Sequence, residues 1–287
     1  MKFTILIVVL LFISKPYSYQ ALKLKQIGVS NKVIASLITP FLLSQNVHAD
    51  NVVVLGGNGF VGSRVVKELL LHGDKVTSIS KSGLRPDTAI LSDDLANKAT
   101  WLKADPSKEK LDFKGTDAVV SCIGAIGFDD DLVRYVNGDV NVAAVEQAKN
   151  QNVKRFVYVS VSSVVPEALY GVLPAYFEGK ATAEASVKSN FGANGILIKP
   201  SFIYGGDSFT VSPPRVPGGY GSFIDALLSS PPLRFLANVS PPIIKVALVP
   251  PVSVDNIARA AASASLGLLD KDSYDGSDQI NQAAKAL

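Results

Sequence analysis

The stretch Asn51-Val-Val-Val-Leu-Gly-Gly-Asn-Gly-Phe-Val-Gly-Ser-Arg64 decides how the rest of the chain is read. Residues 52–55 are a short β-branched apolar run, which suits a strand buried on both faces. A helix follows at once, because residues 60–72 carry an amphipathic pattern that Gly73 closes as a C-cap. Between strand and helix, Gly56, Gly59 and Gly62 fall at three-residue spacing. Gly56 suits the tight turn, Gly59 lets the backbone approach a pyrophosphate, and Gly62 lets the helix pack closely on the strand. Asn58, Phe60 and Val61 complete a loop whose free N–H groups and helix dipole face an anion. A plain structural turn also uses glycines, but the strand before and the helix after supply the context that a dinucleotide site requires. The expectation is an α/β fold, a doubly wound parallel sheet grown outward from this strand, with a small C-terminal substrate or lid region.

A chain of 287 residues with 47% hydrophobic composition can bury one large core, and its length alone does not demand two domains. The first 49 residues read as a leader. Met1 and Lys2 precede an apolar run at 3–13, the pattern of a secretory signal and too short to span a bilayer. From 14 to 49 there is no acidic residue, while Lys15, Lys23, Lys25 and Lys32 are spread among Ser, Gln and Asn, which is transit-peptide composition. A second apolar run at 33–43 is broken by Pro40, and Val47-His48-Ala49 forms a cleavage-like site before Asp50, the first acid. This arrangement resembles the bipartite leader of proteins sent to secondary plastids, with the second run as a thylakoid-transfer signal. The alternatives are a single secretory signal with a spacer, a mitochondrial destination, or a peripheral membrane anchor. The leader holds five of the 28 basic residues and no acid, which leaves 23 basic against 25 acidic residues, a net of −2 for 50–287. Nothing in that span reads as a nucleic-acid stripe. Cys122 is the single cysteine and lies in an expected strand, so it reads as an inert buried thiol rather than part of a disulfide framework. His48 and His72 are too far apart in sequence and setting to suggest a metal cluster.

Further strands are expected at 75–80, 100–103, 117–123, 153–161 and 196–199. The end of the second is where such folds meet the adenine ribose, and an acid there bonds the ribose hydroxyls of NAD. This chain has Ser80, Lys81, Ser82 and Arg85 instead. Cations with hydroxyls suit a 2′-phosphate, so NADP is favoured over NAD; the competing reading is a solvated loop. Gly124 follows the fourth strand, where backbone can pass under a cofactor, and residues 132–150 have the periodicity of one helix, with Val136, Val140, Ala143, Ala144 and Ala148 toward the sheet. The fifth strand ends in Ser160, Ser162 and Ser163, and Tyr176-Phe-Glu-Gly-Lys180 comes about a dozen residues later.

Tyr176 and Lys180 project from one face of a helix. A free tyrosine has a pKa near 10, so phenolate is scarce at neutral pH. An ammonium about 4 Å away at an effective dielectric of about 20 favours the anion by roughly 4 kcal/mol, before desolvation takes some back. Such a pair can act as proton acceptor and donor, with a serine hydroxyl holding the substrate oxygen. Strand-end counting points to Ser162, with Ser163 close behind.

The glycine loop, Ser121-Cys-Ile-Gly124, Asn137-Gly-Asp139, Tyr176-x-x-x-Lys180, Phe202-Ile-Tyr-Gly205 and Pro251-Val-Ser-Val254 resemble the extended and atypical short-chain dehydrogenase/reductases, and the resemblance spans about 51–268. Within these they look most like the branch of the NAD(P)-binding accessory subunit of respiratory complex I, with relatives in plastids and in coenzyme Q assembly. The resemblance implies a Rossmann-type sheet and an NAD(P) site. It assigns Tyr176, Lys180 and Ser162 to catalysis and Lys180 also to the cofactor. It places Asp105 at the adenine amino group, and Pro200 with Phe202 beside the nicotinamide. A loop-initiating role for Asp105 is as ordinary. Near the C-terminus, 250–261 looks like the family's strand-to-helix passage, with Ser253 or Asp255 near an N-cap. The apolar, Pro- and Gly-rich span of about 206–250 corresponds to the substrate lid; a core-packing subdomain is the alternative. The implied function is an NADP-dependent oxidoreductase of a small apolar carbonyl or alcohol, such as a prenylquinone or isoprenoid. The alternative is a non-catalytic NADP-binding subunit or assembly factor associated with a membrane complex.

Overall fold

A computed structural model describes residues 50–127, 129–205 and 249–287. The leader and most of the expected lid, 206–248, lie outside these residues. Every described strand and helix lies within residues 50–287.

Strand β1 is Asn51–Leu55, followed by helix α1 (Gly62–His72) and strand β2 (Lys75–Ser80). Next come the short α2 (Asp93–Ala96), β3 (Thr100–Lys103), β4 (Ala118–Ser121), α3 (Asp130–Asn137) and α4 (Asp139–Asn150). The chain continues through β5 (Arg155–Val159), α5 (Val164–Leu169), α6 (Pro174–Phe191), β6 (Gly195–Lys199) and β7 (Ile203–Tyr204). Beyond residue 248 lie β8 (Val252–Ser253), α7 (Val254–Ser265), β9 (Ser273–Asp275) and α8 (Gly276–Ala283).

Seven strands form one parallel sheet in the order β3-β2-β1-β4-β5-β6-β9, while β7 and β8 pair separately. The order reverses at β1, whose Leu55 is in register with Ile79 on one side and Ser121 on the other. Open α/β sheets bind ligands at such a switch point, outside the carboxyl ends of the strands. Successive residues of β1 serve opposite faces of the sheet. Val52 and Val54 pack with Val65, Leu69 and Ile257 from α1 and α7, whereas Val53 and Leu55 pack with Phe156, Ala144, Ala183 and Val187 on the α4 and α6 side. The doubly wound parallel sheet is therefore as the apolar runs indicate.

Several boundaries differ from the sequence reading. Helix α1 begins at Gly62 rather than at 60, because 56–61 are spent on the turn. Strands β4 and β5 are shorter than 117–123 and 153–161. The single helix expected over 132–150 is two, broken at Gly138 (φ −97°, ψ −81°). The break has a side-chain cause: Asn141 Nδ2 donates to the carbonyls of Val136 and Asn137 at 3.2 and 3.0 Å, competing with helical pairing. Gly73 caps α1 in the left-handed region (φ 103°), as its position suggests, and Ser253 rather than Asp255 is the N-cap of α7, accepting from the Asp255 amide.

Candidate active site

The glycine loop is built by contacts that leave no room for side chains. Gly56 takes a left-handed turn (φ 76°) and its amide donates to Ile79 O at 2.8 Å, tying the loop to β2. A Cβ on Gly62 would lie 2.2 Å from Gly56 O, so the loop folds back on its own first carbonyl. A Cβ on Gly57 would meet Ser78 Oγ at 2.3 Å, a constraint the three-residue spacing did not show. Gly59 differs: its Cβ would touch only Gly56 O, at 3.1 Å. Its missing side chain clears the outer surface of the loop rather than its packing. No side chain caps the N-terminus of α1. A helix end left without a side-chain acceptor beneath a cleared glycine is the cradle a pyrophosphate needs, and these residues fit a dinucleotide. Val61 packs against the core, while Arg64 stacks over the Phe60 ring at 4.8 Å and donates to Phe60 O at 2.8 Å, fixing the loop's far side.

The end of β2 is drawn onto this loop by Asn58, whose Nδ2 donates to Ser82 Oγ at 2.7 Å. Ser80 is buried and accepts from the Gly83 amide at 3.1 Å. Lys81 reaches Asp105 Oδ2 at 3.6 Å, and Arg85 donates to Asn97 Oδ1 at 2.7 Å. Asn58, Ser82, Lys81 and Asp105 thus form one linked edge, with Arg85 turned toward the residues after α2. Asp105 accepts from both the amide and the hydroxyl of Ser107, at 3.1 and 2.6 Å. Burial pulls its pKa up, but those bonds and the charges of Lys81 and Lys108 outweigh it and hold the carboxyl below its ordinary value.

The centre of the site is α6, which starts on Pro174 at its N-terminal turn and carries Tyr176 and Lys180 four residues apart. Lys180 is only 5% exposed; its Nζ donates to Val159 O at 3.0 Å and lies 4.7 Å from the Tyr158 ring centroid and 5.9 Å from that of Tyr176. Gly124 lies directly over it, since a Cβ there would be 3.2 Å from Lys180 Nζ and 3.0 Å from Asn137 Oδ1. Asn137 is fully buried and donates to Ala125 O and Val133 O, at 2.7 and 2.8 Å. It thereby fixes the backbone after Gly124. Tyr158 closes this floor, donating to Asn137 O at 3.2 Å.

The electrostatics differ from the simple pair inferred from spacing. Burial pushes the Tyr176 hydroxyl up to about 12, and burial pulls Lys180 down to about 8 with the Glu184 charge working the other way. The ammonium turned to Val159 O does not outweigh desolvation of the phenol. Cys122, at the end of β4, is likewise pushed up to about 12 by burial, so it is a protonated thiol.

The three serines after β5 separate cleanly. Ser160 donates to Glu184, and Ser163 donates to Asp275 Oδ2 at 2.6 Å, tying β5 to β9. Ser162 is buried, its amide donates to Pro200 O at 2.8 Å, and its hydroxyl bonds no other described residue. Beyond Pro200, Phe202 O accepts from the Val252 amide at 2.7 Å while its ring stays 41% exposed at the mouth. Around Tyr176 the surroundings are apolar: Val161, Val165, Phe177, Leu169 and Leu173. Sequence reading missed Gly57, Tyr158 and Gly179; of these, only Tyr158 gave a signal, as a polar tip within an otherwise apolar strand.

The chain is similar to known nucleotide-binding proteins. The model of a family described as NAD(P)H-binding matches residues 56–212. An uncharacterised chloroplastic protein of Arabidopsis thaliana is 36% identical over 239 residues, covering 80% of this chain and 76% of that protein. A UDP-glucose 4-epimerase of Vibrio cholerae is 29% identical over 212 residues and a 3β-hydroxysteroid dehydrogenase/isomerase of Mycobacterium tuberculosis 30% over 183, with this chain spanning 59% and 49% of their lengths. Among solved structures, a UDP-N-acetylglucosamine 4-epimerase from Methanobrevibacter ruminantium superposes with a TM-score of 0.55 at 22% identity, covering 78% of this chain and 74% of that one. A dTDP-glucose 4,6-dehydratase from Streptomyces venezuelae gives 0.53 at 17%, covering 79% and 75%. At these identities the solved structures bear on the fold alone. The match from the first turn glycine through Lys180 and beyond β6 places the chain in the NAD(P)H-binding family of Rossmann-type proteins.

Proposed function

We propose that this chain is an NADP-dependent oxidoreductase of the short-chain type that interconverts an apolar secondary alcohol and its carbonyl in the plastid, with prenylquinones and isoprenoids as the substrate class. The observation that carries this reading is Tyr176 and Lys180 on one face of α6, together with a buried Ser162 in the turn after β5 whose hydroxyl bonds no other described residue. The glycine loop and α1 would hold the pyrophosphate, Lys81 the 2′-phosphate, and Lys180 with Gly124 and Pro200 the nicotinamide end. When bound, the reduced nicotinamide supplies a hydride to the carbonyl carbon. Tyr176, kept neutral by a pKa of about 12, gives the matching proton to the carbonyl oxygen, and Ser162 holds that oxygen in place. Solvent then returns a proton to Tyr176. In the reverse direction Tyr176 must accept the proton, and the Lys180 ammonium is the cation beside it.

An apolar substrate suits the side chains around Tyr176, and one relative is named for a 3β-hydroxysteroid, itself an apolar secondary alcohol. The chloroplastic relative and the acid-free leader support the plastid. The test is to purify residues 50–287, identify the nucleotide that co-purifies, and assay NADPH oxidation with plastid lipid extracts. Tyr176→Phe should keep nucleotide affinity and lose about 10²–10⁴-fold in turnover. Full rescue of a knockout by Tyr176→Phe would overturn the reading in favour of a nucleotide-binding subunit or assembly factor, as the resemblance to the complex I accessory subunit implies.

A further inference from the structure

Asp50 is held by every polar group it has. Its amide donates to Asp74 Oδ1 at 3.1 Å, its carbonyl accepts from the Lys75 amide at 3.2 Å, and its carboxylate lies 3.4 Å from the Arg155 guanidinium. Asp74 has a fully buried side chain, and its other oxygen meets His72 Nδ1 at 3.0 Å. A buried carboxylate is costly unless charge compensates it, and a peptide N–H is a neutral donor. Burial accordingly raises the Asp74 pKa, against the pull of His72. The residue just before this contact ends the small-residue, cleavage-like sequence Val47-His48-Ala49.

We infer that hydrolysis of the Ala49–Asp50 peptide bond creates the mature N-terminus and that the new α-ammonium of Asp50 docks on the buried Asp74 carboxylate, so that maturation itself stabilises the fold. Water adds across the bond: Ala49 leaves as a carboxylate and the Asp50 nitrogen becomes an amine, protonated at neutral pH. The nitrogen already sits at hydrogen-bond distance from Asp74, so the gain of charge needs no rearrangement. The charged groups around it are His72 at the end of α1, Asp74 in the turn before β2, its own carboxylate, Arg155 at the start of β5 and Lys154 just before it. Because the Asp50 carbonyl is the first ladder acceptor of the sheet, a protease needing extended chain on both sides of the bond must act before β1 docks.

The inference rests on reading residues 1–49 as a removable leader, and the two can fail separately. N-terminal sequencing of the native protein tests cleavage and should return Asp50; any other terminus overturns the inference. Docking is tested on the chain beginning at Asp50, which contains every described strand and helix, prepared with a free α-amine or an acetylated one. The free amine should unfold at least about 3 °C higher, the scale of a one-kcal/mol contact in a domain of this size. The difference should vanish in Asp74→Asn. Equal transitions, or a difference that persists in Asp74→Asn, overturn it. Should Asp74→Asn fail to fold, acylation of the α-amine at pH 7 should be at least about tenfold slower in the folded wild-type chain than in urea, one pKa unit's worth of protection. Equal rates overturn docking.

Discussion

Gly57 and Gly59 stand two residues apart in one loop and answer different demands. A Cβ at 57 collides with Ser78 Oγ at 2.3 Å and Ser78 Cβ at 2.9 Å, both in the sheet, so Gly57→Ala should cost about 1–3 kcal/mol of stability as overpacking does. A Cβ at 59 meets a single carbonyl at 3.1 Å, so Gly59→Ala should keep the fold and weaken the nucleotide instead. Urea titration and calorimetry on the two variants separate the effects; equal loss of stability would sink the distinction. Spacing in the sequence singled out Gly59 because the motif is defined by it, but it could not show Gly57, whose reason lies in Ser78 on the neighbouring strand β2. Lys180 yields a second prediction at this scale. Its folded pKa near 8 lies below the ordinary 10.5, so between these values the unfolded chain holds a proton the folded chain has shed, and stability rises with pH. Below 8 the full burial cost is present. Lys180→Met should therefore gain more at pH 7 than at pH 9.5, by about 2 kcal/mol from roughly 1.5 pKa units. Both values stay below the range from 10 to 12 in which Tyr176, raised by burial, lowers stability as pH climbs. Guanidinium melts of the nucleotide-free protein at the two pH values would measure it, and a gain independent of pH would count against a depressed Lys180.

At the scale of elements, the site depends on how α6 crosses the break between α3 and α4. The crossing is glycine on glycine: a Cβ on Gly179 would lie 2.9 Å from Asn137 Cβ, 3.0 Å from Arg134 O and 3.1 Å from the Gly138 amide. A Cβ on Gly138 would lie 2.9 Å from Arg134 O and 3.3 Å from Gly179 Cα. This closeness lets Lys180, the next residue on α6, reach beneath Gly124. Gly179→Leu should push α6 away from α3 and displace both Tyr176 and Lys180. Stability should fall by about 1–3 kcal/mol or more, and nucleotide affinity should fall with it. Wild-type affinity in a folded Gly179→Leu protein, read by calorimetry, would show that the crossing does not set the site. The break itself was hidden in the sequence for a physical reason. The apolar positions Val140, Ala144 and Ala148 keep a helical period toward the core, so periodicity runs on past the junction. What interrupts the helix is the pair Asn137 and Asn141 turning their amides onto backbone carbonyls, a preference that acts only once β4 and its loop are in place. The central strands β1, β4 and β6, by contrast, were legible because a strand buried on both faces reads as a near-continuous apolar run.

Across the whole molecule the proposed cofactor site draws on both halves of the sheet. The glycine loop, Asn58 and Lys81 belong to the β1–β3 half; Gly124, Lys180 and Pro200 belong to the β4–β6 half, and the strand order reverses between them. A ligand that binds only when both halves are in place stabilises the folded chain by mass action, about 2.7 kcal/mol at one hundred times its dissociation constant. The nicotinamide end cannot discriminate NADPH from NADH, so any preference must arise at the β2 edge. There the sequence places Ser80 where an acid would bond ribose hydroxyls, and the structure shows Ser80 occupied by the Gly83 amide and Arg85 by Asn97. Lys81, 59% exposed at its side chain and held only loosely by Asp105 at 3.6 Å, is the cation best placed to turn to a 2′-phosphate. At equal concentrations NADPH should therefore raise the melting temperature more than NADH, the tenfold affinity ratio expected of one charge-assisted contact being about 1.4 kcal/mol. Lys81→Ala should bring the two nucleotides level by weakening NADPH alone, whereas Arg85→Ala should leave the difference standing. Added salt should narrow the gap in the wild type, because the contact lies at the solvent-exposed edge. A preference for NADH, or one for NADPH that survives Lys81→Ala, would place the discriminating contact elsewhere on the molecule.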